Sequence, residues 1–381
     1  MSWQRRHGLL FALPLLVVLA AGLLAIACAG IASPEGWASP VTEGDLLLAA
    51  NEDELFALDP ETLDPLWAFP NDAVEQAVEG DVDVEALYGT PAVVGDTVLV
   101  PAYDGFLYAL GGESGELVWK EPFDTGGPLI GGVVASDRTV YFGSDDGKVY
   151  AVDIESGEPA WNEPFATGEK VWSRPTLAGD VLYVTSLDRR LYALDAASGQ
   201  ELWQFKTGAG IGSPAVVSEA GDLVYVGGFD NELRAIDVET REERWSLKTD
   251  NWFWTEPLVA EGVVYAGNLE QKVYAVNGES GELVWPSPFE TEGLVRAAPV
   301  LVGGVLIIVD KDGNVYGIDP REGIAAMDGP LALGGDVLSD PILLPRAGEE
   351  GEDVVVVTTD GELVRIDPET LTVVDRRRLV E

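Results

Sequence analysis

The chain has 381 residues, 46% of them hydrophobic and 23% charged, with 44 Gly and 23 Pro, a balance that suits a large core of many short strands joined by tight turns. Acidic residues outnumber basic ones 66 to 23, for a formal net charge of −43, and a field of that sign repels phosphate backbones, so nucleic acid is excluded as an expected partner. The single His, His7, and the single Cys, Cys28, lie near the N-terminus, so the chain beyond residue 28 has no Ser-His-Asp triad, no His-ligated metal and no internal disulfide.

Arg5 and Arg6 precede an apolar run over residues 8–27 that closes on Ala25-Ile26-Ala27-Cys28. A basic start, an apolar stretch and small residues at its end make a secretory signal. The small residue directly before a lone Cys resembles the bacterial lipobox, in which cleavage leaves the Cys to carry lipid. Residues 1–27 are therefore read as signal peptide, Cys28 as the lipidation site and residues 28–38 as a tether. Ala25-Ile26-Ala27 also fits an ordinary cleavage site, and the apolar run is long enough for an uncleaved anchor. All three readings place the remainder outside the cytoplasm.

From residue 39 to residue 381 one unit recurs. Its fullest phrase is Ala109-Leu110-Gly111-Gly112-Glu113-Ser114-Gly115-Glu116-Leu117-Val118-Trp119, and the Trp returns at Trp161, Trp203, Trp245 and Trp285, in steps of 42, 42, 42 and 40 residues. An earlier copy ends at Trp67, and two degenerate copies put Met327 and Asp375 in the Trp position. Pro40, Pro91, Pro175, Pro214, Pro257, Pro299 and Pro341 each open a β-branched run, with Gly132 standing in the third copy. An acidic column, Glu52, Asp104, Asp146, Asp188, Asp230, Glu270, Asp312 and Asp360, precedes the Ala of every copy. Each unit reads as four strands, and Asp-Gly pairs such as Asp104-Gly105 and Asp146-Gly147 suit two-residue hairpins. Four antiparallel strands in about 42 residues form one propeller blade, and a lone blade can bury neither of its apolar faces. The expectation is an all-β, monomeric, eight-bladed β-propeller of four-stranded antiparallel blades over residues 39–381, with the Trp between blades.

Some segments escape the repeat. The insertion 71–88 carries Asp72, Glu75, Glu79, Asp81, Asp83 and Glu85 with no basic residue, and reads as an acidic flap or a short helix. Trp252-Phe253-Trp254 precedes Pro257 outside the docking register, Trp172 and Arg174 hold the matching place two blades earlier, and Arg296 lies one blade later. Together they are expected to form a partner-binding rim, since interfaces favour Trp and Arg as anchors; plugging the channel is the alternative. The acidic column is expected to cap its own turns, with a cation-binding ring as the other reading. Asp310-Lys311-Asp312-Gly313-Asn314 faintly matches a Ca²⁺ loop, but Arg321 stands where the bidentate Glu belongs. A smaller acidic insertion covers 348–353.

With Ala, Asp, Ser/Thr-Gly and Trp in register, the phrase resembles the tryptophan-docking repeat of the pyrroloquinoline quinone (PQQ)-like propeller family, most specifically in copies two to six; Arg241 replaces the Gly in copy five. The resemblance implies one of two branches. Quinoprotein dehydrogenases hold the quinone and Ca²⁺ at the propeller mouth beneath a vicinal Cys-Cys disulfide. BamB-type outer-membrane assembly lipoproteins hold neither and act as protein-binding scaffolds. This chain has no vicinal Cys pair and lacks the length for large inserted loops, whereas its size and lipobox-like start match the second branch. It is expected to be a lipid-anchored scaffold for protein partners, with no enzymatic activity, catalytic residue, cofactor or metal. A quinone- or other small-ligand-binding propeller and a glycan-binding or sensor domain are the alternatives.

Overall fold

The computed structural model describes residues 36–71, 73–74, 84–346, 348 and 350–380. Cys28, the whole N-terminal segment and most of the acidic insertion lie outside the described residues. Gly36–Glu381 forms a compact unit.

Among the described residues, thirty-two strands form eight four-stranded antiparallel sheets, each from one contiguous stretch: 41–69, 92–124, 134–166, 176–206, 216–248, 258–290, 300–332 and 342–378. This is the expected eight-bladed β-propeller. The first strands of neighbouring blades meet one another, so each blade runs outward from the channel in chain order. In blade four the first strand is Thr176–Ala178, the second and third are Val181–Ser186 and Arg190–Asp195, and the fourth is Glu201–Lys206. The middle two are almost wholly buried and the fourth is largely exposed. A strand pressed on both faces reads as a near-continuous apolar run, which is why Val181-Leu182-Tyr183-Val184 shows no alternation.

The repeated Trp and Gly are one device. Trp161 is 4% exposed, and its Nε1 donates to the Ala196 carbonyl of the next blade at 2.9 Å. Its ring lies against Gly199, where a Cβ would come within 2.7 Å of the indole and φ is 72°. Only glycine gives both the left-handed turn and the space. The contact recurs for Trp67 with Gly115, Trp119 with Gly157, Trp245 with Gly281 and Trp285 with Gly323. Arg241, which takes the glycine's place in copy five, holds the same sign of φ, at 63°.

The ring closes through side chains. Leu47, Leu58 and Leu63 of blade one pack on Leu344, Val355 and Leu363 of blade eight, and Ser39 Oγ bonds both the backbone N–H and the carboxylate of Asp340. The small acidic insertion is partly structural: Asp353 is 2% exposed and pairs with Arg346 and Arg365 at 2.7 and 2.6 Å.

The Pro column of the repeat shifts by one place in two copies. In copy five the buried position of Pro175 is taken by Ala215, and Pro214 faces the channel beside Arg174. In copy three the buried position falls to Val133, and Gly132 faces the channel. A cyclic residue is favoured there without being required, because the position needs only a small apolar group between blades.

Candidate functional site

The turn after each second strand and the link into each first strand share one face. Thr125 N–H bonds the Gly105 carbonyl, Leu129 N–H the Ala102 carbonyl and Asp145 N–H the Pro128 carbonyl. The links are extended, so their side chains alternate: Val171, Ser173 and Pro175 are buried, while Trp172 and Arg174 are partly exposed. Each link thus offers two residues to the lumen. Trp37, Tyr88, Ile130, Trp172, Gly212, Trp254, Arg296 and Leu338 form the first tier, and Ser39, Thr90, Gly132, Arg174, Pro214, Glu256 and Asp340 the second. All of them line one cavity of about 110 Å³.

Of the sequence-predicted rim, Trp172, Arg174, Trp254 and Arg296 meet at this cavity. Trp252, 42% exposed, lies just outside it against Phe229, ring centroids 4.9 Å apart. Phe253 does not belong to the rim. It is 1% exposed, packs on Tyr274 and sits so close to Gly227 that a Cβ there would be 2.4 Å from its own. It occupies the buried column of Val171, Ile211, Val295 and Val337, so the expectation that it contacts a partner is corrected: alternation turns it inward.

The mouth gains four aromatics that sequence reasoning missed. Phe229 stacks on Trp254 at 5.3 Å and 16°. The Arg296 guanidinium lies 5.0 Å from the Trp254 ring and 5.2 Å from that of Trp37. Trp37 meets Tyr88 edge-on at 4.3 Å, and Tyr88 meets Tyr103 at 5.3 Å. The result is a continuous arc from Trp252 to Tyr103. Trp37 and Tyr88 carried a readable signal, since each stands three places before its Pro as Trp254 does. Trp172 is fixed differently: its indole N–H bonds Asp145 at 2.6 Å, and Lys170 holds the other oxygen of that carboxylate.

In the second tier, Arg174 and Glu256 form an ion pair at 2.6 Å. Asp340 accepts from Ala298 N–H at 2.6 Å and from Ser39 Oγ at 3.2 Å, and burial pushes its carboxyl above the usual range. Thr255 is 4% exposed, and its Oγ1 has no hydrogen-bond partner among the described residues. Arg296 likewise makes no ion pair or hydrogen bond among the described residues; its contacts are the two indole faces. Burial pulls its pKa down, yet a guanidinium stays charged.

The acidic column serves its turns. Asp104, Asp146 and Asp188 each bind the hydroxyl of a tyrosine four places on, and Arg234, replacing that tyrosine, binds Asp230 through two N–H groups. In blade seven the bond to Tyr316 comes from Asp310 and not Asp312. Asp310 also accepts from Asn314 N–H and Gly293 N–H, so the segment that matched a Ca²⁺ loop is closed by its own donors.

A fused-ring quinone, the cofactor that the fold suggests, does not fit the mouth. Cofactor pockets run to roughly 300 Å³ and more, against about 110 Å³ here, and the facing surfaces of Trp37 and Trp254 are already taken by Arg296.

Docking tryptophans between eight four-stranded blades define a PQQ-repeat propeller. Residues 25–128, 104–218 and 190–336 match the PQQ-repeat family described as outer membrane protein assembly factor BamB, and the chain belongs to that family. No curated protein matches the sequence. Three solved structures share the fold. BamB from Moraxella catarrhalis is 17% identical over 86% of this chain and 92% of its own, with a TM-score of 0.67. The computationally designed Ika8 protein is 14% identical over 87% and 97%, with a TM-score of 0.69. The quinohemoprotein alcohol dehydrogenase ADHIIG from Pseudomonas putida HK5 is 16% identical over 86% and 70%, with a TM-score of 0.68.

Proposed function

We propose that this propeller is an extracytoplasmic, membrane-anchored scaffold that binds a protein partner at its channel mouth and performs no chemistry. The observation that carries the reading is the aromatic arc. Trp252, Phe229, Trp254, Trp37, Tyr88 and Tyr103 succeed one another around the mouth, and the docking pattern uses none of them. Aromatics left partly in water lower solubility, and a contiguous patch of them marks an interaction site. Trp172, Arg174, Trp252, Trp254 and Arg296 are the anchors, with Trp and Arg the residue types that dominate binding energy at interfaces. Membership in a family named for outer-membrane protein assembly supports a protein as the occupant. Cys28, after its signal-like run, is the proposed lipid attachment.

The test is capture from membrane extract by the wild type and by a Trp252→Ala/Trp254→Ala double variant with unchanged circular dichroism. Loss of the wild-type partners by the double variant is expected, and capture by the wild type should survive high salt because apolar anchoring is not screened. Retention of every partner would leave the arc as a plug for the channel.

A further inference from the structure

Among the described residues, Arg296 is the charge at the mouth that the fold does not use. Its guanidinium is half-buried and lies over the indoles of Trp37 and Trp254. Neither indole offers it an oxygen, so the N–H fork of the guanidinium is left for an acceptor of matching geometry. Arg189, Arg241, Arg321 and Arg378 also have no ion pair among the described residues, but they are exposed to water, whereas Arg296 is half-buried, and the nearby acids are spent: Glu256 holds Arg174, and Asp340 holds Ser39 and the Ala298 N–H.

We propose that Arg296, held between Trp37 and Trp254, receives a carboxylate side chain of the partner polypeptide, inserted into the channel mouth beside an aromatic or apolar neighbour. This rests on the reading of the mouth as a protein-binding site and names the chemistry it selects. Two observations support it. The cavity beside Arg296, about 110 Å³, is well below the roughly 300 Å³ and more of small-molecule pockets, a size that suits a side-chain tip. The Trp252–Phe229 platform continues outside the cavity, with Trp252 42% exposed, and only a ligand longer than a single acid would cover it. The negative field of the whole molecule repels free anions, so selection has to come from contact at this one fork.

The experiment is isothermal titration of the full chain with two capped tripeptides that carry a glutamate or a glutamine between two phenylalanines. The wild type should bind the glutamate peptide about ten- to a hundred-fold more tightly, the range for a hydrogen-bonded charge pair. Arg296→Met should abolish the preference while leaving weak, equal binding of both. Equal affinities for the wild type, a preference that survives in Arg296→Met, or no binding of either peptide would each overturn the proposal; the first and third need no variant to fold. Sodium acetate binding as tightly as the glutamate peptide would show a free acid to be the ligand and overturn the polypeptide source. If the peptides show no preference while Trp252→Ala/Trp254→Ala still loses its partners, the scaffold reading stands and this proposal alone fails.

Discussion

Trp161 and Trp254 are the same side chain in two settings. Trp161 lies between blades, 4% exposed, with its N–H on the Ala196 carbonyl and its face on Gly199. Trp254 lines the lumen between Phe229 and Arg296, and no hydrogen bond of its indole is seen among the described residues. The first meets a backbone carbonyl and a glycine of the next blade. The second meets side chains of other repeats and a cavity. The contrast teaches that position relative to the blade, and not residue type, separates the tryptophans that build the ring from those free to contact something else.

The largest effect is expected from removing the first kind. Trp161→Ala should cost about 3–5 kcal/mol of folding stability, as for other buried aromatics whose loss leaves a cavity. Trp254→Ala, partly exposed and with no indole hydrogen bond to lose among the described residues, should cost less, about 1–2 kcal/mol. Denaturant midpoints with unchanged slopes would measure both. Equal shifts would break the comparison.

A smaller effect probes the polar tier beneath Trp254. Burial raises the Asp340 carboxyl above its ordinary value of 3.8, ahead of the opposing bond from Ala298 and repulsion from Glu256. A carboxyl with a raised folded-state pKa weakens the fold once ionised, so the penalty is absent below the ordinary value and grows as pH rises through the folded one. Asp340→Asn should therefore raise the denaturation midpoint near neutral pH and leave it unchanged at about pH 3. A lower midpoint for Asp340→Asn near neutral pH would mean that the ionised carboxylate supports ring closure through Ser39.

The architecture was legible because the repeat imposes itself on every blade: Trp, Gly and the acidic turn column recur for reasons of backbone geometry that any copy reveals. The mouth was only half legible. Trp172, Trp254 and Arg296 stood out against the repeat, but Phe253 stood out equally and is core, because a run of three aromatics hides the alternation that turns its middle member inward. Trp37 and Tyr88 sit at a readable offset from Pro40 and Pro91, yet they fall in the stretch read as a tether and in the acidic insertion, outside the repeat's columns. Pro214 misled for a related reason: a proline one place early marks the lumen and not the core. Phe229 and Tyr103 belong to hairpin turns and reach the mouth only through the ring's closure, which no local pattern encodes.

A partner should land on the mouth and not on the blade perimeter. Both carry exposed apolar residues, Trp252 at 42% and Leu202, on the outer strand of blade four, at 45%. A photoreactive benzoylphenylalanine placed at position 252 or at position 202 and irradiated in intact membranes compares them directly. Binding at the mouth predicts a discrete protein adduct from position 252 and none from position 202. Adducts from position 202 alone would move the binding surface to the perimeter and contradict it.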